Sequence, residues 1–514
     1  MSTAASANED IAALAKGGRT NFFGFVLRLA ARLPFLFIAG HYYGPEMLGR
    51  FAYATIVIEF AAQLATMGLK RGLAQQLSTT DKPHVCIVFD GLLAALIASA
   101  CASAILMVFP RAMFPTGDLY GAEWLLPLVI FGIAGADVAL AALAYRHDVA
   151  ATVQVRAIVE PWTISIAAGV MMFLSERDGL FIAYVISIAA GLVVALWRLI
   201  RSFGIPHGWR PNPQEILRTA GRNVPLAAAD AIEWGSRRLD IAILGLFVSP
   251  AIVGIYYIAQ NVASLPQKLK TSFDPILAPV ITQKLAQGDR AAVAKQVRQV
   301  GFWIIAAQAA IALALGIPGE AVMSLFGDDR AFVSGTAALA FLLAAEVVAA
   351  TAVVSEAALV YVARHRNLVI SLLMLAVQAG LTVAFILTIP KLPLPLRPDQ
   401  VEAWQGASAA LALLLALGLA SVLKARLLCQ LLDAPVQGWR WSLIWAAGAA
   451  CVIGFLISQL PEWAQLAFGV AAIMGAFGVV VWYRGFTEED RVLFRKHGPD
   501  EPTLPAPGTG PRLP

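Results

Sequence analysis

The sequence predicts an all-α membrane protein of about fourteen transmembrane helices, set out as two six-helix lobes in parallel repeat plus a C-terminal helix pair. Three observations carry that expectation. Of 514 residues, 59% are hydrophobic and only 14% charged, with a mean hydropathy of +0.72, whereas a soluble domain carries about 25% charged residues. The apolar residues fall in windows of about 20, enough to cross the ~30 Å hydrocarbon layer as helices. The positive charge alternates along the chain. One set of alternate connecting segments holds 28 of the 38 Lys and Arg, the intervening set holds 6, and 4 lie inside apolar windows. Short Lys/Arg-rich loops stay cytoplasmic, so the alternation orients the chain.

The windows lie near 20–40, 49–68, 85–109, 124–145, 157–174, 180–200 and 224–248, then 251–273, 300–317, 336–360, 367–389, 403–423, 438–460 and 463–483. Before the first, NEDIAALAK at 8–16 reads as a short helix on the membrane surface. No cleaved signal peptide is expected: the N-terminus carries Glu9 and Asp10, and His41, Tyr42 and Tyr43 follow the first window instead of a small-residue cleavage site. The basic connecting segments begin with Lys16 and Arg19, then Lys70, Arg71 and Lys82, then Arg146 and Arg156, and continue through Lys424, Arg426 and Arg440 to Arg484. The opposite side holds Arg50, Arg111, Arg177, Arg330, Lys391 and Arg397. An even number of spans then leaves both termini of this multi-pass membrane protein cytoplasmic. The tail from Gly498 is too rich in Pro and Gly to fold.

Composition also excludes. No gap between windows exceeds roughly 26 residues, too short for a soluble catalytic domain. Net charge is +5 and the pI about 9.0, but the excess is an orientation signal, so no nucleic-acid partner is expected. Cys86, Cys101, Cys429 and Cys451 lie in or beside apolar windows without CxxC spacing and suggest neither a metal site nor disulfides.

A polar segment at 201–222, with Pro206, Pro211 and Pro213, divides the chain. The expected units are a lobe over 1–200, this cytoplasmic linker, a second lobe over 223–423, a helix pair over 424–485 and a disordered tail over 486–514. A repeat supports the division. GPEMLGRFAYA at 44–54 aligns without gaps on SPAIVGIYYIA at 249–259, setting Pro45 on Pro250, Gly49 on Gly254 and Arg32 on Arg237. Six intervening spans make the halves parallel, and such repeats hold substrates between them near the midplane.

The charges left inside windows are the site candidates, because hydrocarbon makes a central Arg cost about 2.5–3.5 kcal/mol by insertion scales. Arg28 and Arg32 share one face of the first helix at i, i+4 spacing. Arg32 lies about 18 Å along that helix from Thr20, too deep to reach the interface easily. In the seventh window, Asp230, Glu233, Arg237 and Asp240 lie close to one face, with Glu233 and Arg237 at i, i+4. The alternative there is a self-neutralised stack that makes the helix insertable. Arg238 lacks a same-helix partner and is the freer anion ligand. Carboxylates in lipid surroundings gain proton affinity, so Glu59 and Glu346 are the better coupling candidates, and Asp137 a weaker one. Pro225, Pro266, Pro275 and Pro279 interrupt the seventh and eighth helices and mark hinge points.

The run GRTNFFGFVLRLAARLPFLFIAGHYYGPEMLGRFAYATIVIEFAAQLATMGLKRGLAQQLS resembles the polysaccharide transporter (oligosaccharide/polysaccharide flippase) family of the multidrug/oligosaccharidyl-lipid/polysaccharide (MOP) flippase superfamily. LDIAILGLFVSPAIVGIYYIA resembles it too, with the same helix, Gly/Ser-Pro turn, Gly, aromatic, helix pattern. The resemblance implies a central cavity between helices one, two, seven and eight. It also implies a polyprenyl-diphosphate-linked oligosaccharide moved from the cytoplasmic to the outer leaflet, and polysaccharide polymerase machinery as a partner. One departure stands out: relatives with such substrates have strongly basic cavities, whereas acids accompany Arg237 here, and Glu59 faces Arg28 and Arg32.

The sequence thus points to a flippase, not an enzyme. Arg28, Arg32, Arg237 and Arg238 are the expected substrate ligands, and Glu59, Asp230, Glu233, Asp240 and Glu346 the expected coupling or cavity residues. No cofactor is expected, and those carboxylates suit proton or sodium coupling. A cation-coupled multidrug exporter of the same superfamily is the alternative, disfavoured by the sign of the buried charge. A membrane polymerase or ligase would need larger outer loops than these.

Overall fold

The computed structural model describes residues 33–487 except 81, 116–118, 176, 272–280, 282–283, 286, 394 and 396. The surface helix expected at 8–16, Arg28, Arg32, Pro275, Pro279 and nearly all of the C-terminal tail lie outside the described residues. Within them the chain is helical. The first helix, α1, covers 33–43 and ends in a π-helical turn, Ala39–Tyr43. It is followed by α2 (Gly44–Ala65) and α3 (Leu69–Thr79). Gly44 adopts φ +74°, open to glycine without strain, and reverses the chain there. The reversal shows in Phe35 and Phe51, whose rings lie 5.8 Å apart; a straight helix would separate them by about 24 Å.

After α3 come α4 (His84–Val108), α5 (Val129–Tyr145), the single turn α6 (Val149–Val153), α7 (Glu160–Met171) and α8 (Gly179–Phe203). Past the linker, Asn212 caps α9 (Pro213–Ser236) by accepting from the Gln214 amide. Then follow α10 (Leu239–Phe247), α11 (Pro250–Thr271), α12 (Arg290–Gly316) and the short α13 (Gly319–Ser324). The remainder is α14 (Thr336–Val362), α15 (Arg364–Thr388), α16 (Pro398–Leu432), α17 (Trp441–Ile457) and α18 (Val470–Val480).

Nine helical stretches among the described residues are long and apolar enough to span a bilayer, fewer than the about fourteen windows of the sequence. The difference has local causes. Leu33–Thr79 runs two windows together. The windows at 157–174 and 438–460 hold only the 12-residue α7 and 17-residue α17, and the window at 224–248 is broken at Arg237. That at 251–273 forms the 22-residue α11, which runs on through Pro266 against the interruption expected there and is long enough to span but not apolar enough. The break in the seventh window is itself a correction: α9 continues through Pro225 and ends instead at Ser236, so the hinge falls between Arg237 and Arg238. Many of the cations assigned to connecting segments lie within helical structure, and four of them matter below. Lys70 and Arg71 belong to α3, Arg156 to a π-helical turn (Gln154–Val159) preceding Pro161, and Lys424 to α16. A proline ring clashes with the carbonyl four residues back, and a π-turn is one way a helix accommodates that. Lys424 is buried and donates to Glu356 Oε2 at 2.9 Å, which satisfies its charge inside the 35-residue α16.

The two copies of the sequence repeat meet each other. Gly49 stands against the Pro250 carbonyl and the Gly254 amide, and Gly254 against the Pro45 carbonyl and the Gly49 amide. A methyl group at either glycine would collide with backbone, so only glycine permits this approach. Beside the crossing, Arg50 of α2 makes a fork-like pair with Glu123, 2.9 Å from Nε to Oε1 and 2.9 Å from Nη2 to Oε2. Its guanidinium also lies over the Phe114 ring. The crossing and the pair close the end of the molecule that carries few cations.

Candidate functional site

The opposite, basic end is closed by α3 against α9. The α2 helix stops at Thr66, where Met67 and Gly68 take positive φ of 49° and 67°. That kink turns α3 so that Gly68 approaches the Asn223 carbonyl and Ala227 amide, and Gly72 the Asn223 side chain. Gly68 lies about 35 Å along α2 from Pro45, so the seam sits at the far end of α2 from the glycine crossing. Trp209 of the linker donates to Asp90 of α4 at 2.9 Å, and Lys82 pairs with Glu215. The hydrogen bond to Glu215 raises the Lys82 pKa above its ordinary value. This exposed strap is therefore intact at neutral pH and on the alkaline side is lost as pH climbs through that raised value.

Within the seam, one residue of α3 reaches two of α9. Arg71 Nε lies 2.8 Å from Asp230 Oδ1, and Arg71 Nη2 lies 2.7 Å from Glu233 Oε2. The other Glu233 oxygen, Oε1, accepts from Arg237 Nη2 at 3.0 Å. One carboxylate thus bridges two guanidinium groups, one contributed from each side of the linker. Arg71, Glu233 and Arg237 are half or more exposed, with Arg237 at 72%, while Asp230 is buried and its Oδ2 has no hydrogen-bond partner. Arg237 closes α9 and the chain restarts at Leu239, so the guanidinium projects from a helix end, where side chains are less confined.

The neighbouring residue on α3, Lys70, points to a different set. Its Nζ lies 3.3 Å from Asp137 Oδ2 and 3.4 Å from Gln63 Oε1. Asp137 also pairs with Arg156, whose other nitrogen lies 2.7 Å from Glu160 Oε1. Gly191 leaves room for the Glu160 carboxylate against α8, and Ser187 donates to the Glu160 carbonyl at 2.8 Å. Nearby, Tyr184 donates to Glu59 Oε1 at 3.2 Å. Consecutive residues of α3 therefore tie an ionic network inside the first half of the chain to the seam with the second.

The sequence candidates separate on this map. Arg28 and Arg32 lie outside the described residues. Asp230, Glu233 and Arg237 come together, and the expected i, i+4 pair of Glu233 with Arg237 is made, but Asp240 is not part of the stack. It is buried, with Oδ2 accepting from Tyr256 at 2.7 Å and Gln260 at 2.8 Å, because the break at Arg237 turns α10 away from the α9 face. Arg238 makes no ion pair among the described residues; its Nη1 lies 3.4 Å from Gln260 Oε1. Glu59 is half-buried on α2, and Glu346 half-buried on α14. The sequence reading missed Arg71, Lys70, Arg156 and Glu160. The first two had a legible signal: Leu69, Leu73 and Leu77 continue a helical stripe past Gly68, all three buried. Arg156 and Glu160 had the signal of i, i+4 spacing, whereas nothing local paired Lys70 with Asp137 or Arg71 with Asp230 and Glu233, which lie far along the chain.

Chemically the seam is a charge-balanced set in which two guanidinium groups meet two carboxylates. Guanidinium forks suit carboxylate and phosphate. Among the described residues no three His, Cys, Asp or Glu side chains converge as a metal site would require.

The sequence model of a family described as "Polysaccharide biosynthesis protein" matches residues 43–329, more than half of the chain. The chain belongs to that family. Its fold is that of the MOP superfamily. The lipid II flippase MurJ in an inward closed conformation superposes with a TM-score of 0.65 at 12% identity, covering 91% of this chain and 98% of that one. An inward-facing multidrug resistance MATE family transporter of the superfamily gives 0.60 at 13% identity, over 79% and 95%. A superfamily transporter from Pyrococcus furiosus gives 0.55 at 14%, over 81% and 94%. A comparison with curated proteins returned no match. The resemblance read from the sequence around Pro45 and Pro250 is thereby borne out for the family, and the fold is the one these MOP superfamily transporters share.

Proposed function

We propose that this polysaccharide biosynthesis protein is a flippase that carries a polyprenyl-diphosphate-linked oligosaccharide from the cytoplasmic to the outer leaflet of the bacterial inner membrane. Its product would feed O-antigen, capsule or exopolysaccharide synthesis, with polysaccharide polymerase machinery downstream. The observation that carries the reading is the convergence of Arg71 and Arg237, from opposite sides of the linker, on a single anion. A drug exporter that binds cations has no use for paired guanidinium groups, whereas a diphosphate takes their forks in charge-assisted hydrogen bonds. Movement of that anion outward is downhill by ~2.3 kcal/mol per charge per 100 mV, and the carboxylates around Arg156 offer a place for proton or sodium coupling. In this reading Arg28, Arg32, Arg237 and Arg238 ligate the diphosphate between two six-helix lobes, with a helix pair appended, and both termini are cytoplasmic. No catalytic step is involved.

The test is transport in proteoliposomes loaded with a fluorescent polyprenyl-diphosphate oligosaccharide, read by dithionite quenching of the accessible leaflet. The wild type is expected to equilibrate the lipid, and R237A/R238A to slow it by tenfold or more, as loss of hydrogen bonds to a charged group costs about 1.5–3 kcal/mol each. Wild-type protein that moves no lipid but exchanges a cationic dye for protons supports the exporter instead.

A further inference from the structure

We infer that Glu233 is a built-in stand-in for the substrate's diphosphate, and that Arg71 is a further substrate ligand which Glu233 holds in reserve. The inference rests on the flippase reading and adds to it the competitor that keeps the anion site occupied when no lipid is bound. The geometry supports this in three ways. Glu233 spends both oxygens on two different guanidinium groups, at 2.7 Å from Arg71 and 3.0 Å from Arg237, as a bridging phosphate oxygen pair would. The bridging groups are accessible: the Arg71 and Glu233 side chains are each 53% exposed, so an incoming anion meets them without unfolding the seam. Arg71 is held from behind by Asp230 through Nε, which leaves its terminal nitrogens as the exchangeable end.

The arrangement also accounts for the acids that stand beside Arg71 and Arg237. Without Glu233 the Arg237 guanidinium would face Arg71 with only Asp230 to offset the two charges, which weakens the α3–α9 contact. With Glu233 between them the seam closes, and Gly68 and Gly72 can approach the α9 backbone and Asn223. A diphosphate that displaces Glu233 supplies more negative charge and takes over both guanidinium groups, releasing the carboxylate. The ion pairs are exposed and hence weak, so the competition is one a strongly charged ligand wins.

Binding to the purified full-length protein in phosphatidylcholine nanodiscs tests this, with farnesyl diphosphate and inorganic pyrophosphate as probes. Removing the competitor raises the fraction of binding-competent sites, so E233Q is expected to bind both probes about fivefold more tightly, in line with the modest strength of exposed pairs. R71Q is expected to bind them about tenfold or more weakly. Should E233Q not fold, E233D keeps the charge on a shorter arm and is read the same way through its lost reach to Arg71. Wild-type binding that E233Q leaves unchanged or weakens overturns the stand-in while the flippase reading survives. Absence of binding in every variant overturns both. Tighter binding in E233Q for farnesyl diphosphate but not for pyrophosphate also overturns the inference, because the gain must belong to the anion.

Discussion

Replacing Gly49 with alanine is expected to open the end of the protein that carries few cations and to stop transport. The added methyl meets the Pro250 carbonyl, which is backbone and cannot swing aside. Either α2 and α11 separate, or one of them unwinds locally. Overpacking of a tight contact costs typically 1–3 kcal/mol, which shifts a closed–open equilibrium by roughly five- to 150-fold. The same change at Gly254 should act alike, because the contact is reciprocal through the Pro45 carbonyl. The measurement is labelling of Val253→Cys in a protein with its four native cysteines removed. Val253 is 1% exposed and lines a small void of about 20 Å³ with Gly49, Arg50 and Tyr53. A membrane-impermeant thiol reagent should react at least tenfold faster in the Gly49→Ala background. Equal labelling rates would show that this crossing does not control access.

The second large effect is expected at Arg156. Its guanidinium satisfies Asp137 and Glu160 together, in a site that only a cation can neutralise. Arg156→Leu leaves Asp137 with Lys70, at 3.3 Å, but removes the Glu160 partner at 2.7 Å. Breaking a buried pair from one side costs about 3–5 kcal/mol, whereas removing both members is far milder. R156L should therefore lower the melting temperature of the detergent-solubilised protein strongly, and R156L/E160Q should recover at least half of the loss. Glu160→Gln alone tests the sign: it keeps a hydrogen-bond acceptor for Arg156 and should cost less than R156L. A melting temperature unchanged by R156L, or a double variant worse than R156L, would show that the network does not stabilise the fold.

How much of the site was legible follows from where its information lies. Glu233 and Arg237 are four apart on one helix, and helical spacing alone pairs them. Asp240 has the same kind of spacing from Arg237, yet the pair is not made, because α9 stops at Ser236 and the face does not continue. Pro225 looked like the breaker of that helix. It lies inside α9 instead, since a helix loses one hydrogen bond at proline and packing on α2 and α3 can carry it across. Arg71 was visible as a charge but its role was not: the alternation rule counts cations by side of the membrane and says nothing about which helix they face. Lys424 shows the same limit, buried against Glu356 although its position in the sequence fits a loop.

By itself, the sequence determined the class, the helical content and the family pattern, because apolar windows, charge alternation and a Pro-Gly turn repeat are local properties that hydrocarbon and backbone sterics enforce residue by residue. It also marked Gly49 and Gly254 as equivalent, through their common distance from Pro45 and Pro250. Only the tertiary structure decided that those glycines face one another, and that Arg71 reaches across to Glu233 while its neighbour Lys70 turns to Asp137. Such pairings join residues more than sixty positions apart and depend on how helices pack, on a kink at Met67 and Gly68 and on a break at Arg237. Packing of that kind is set by the sum of many weak contacts along whole helices, and no single stretch of the chain carries it.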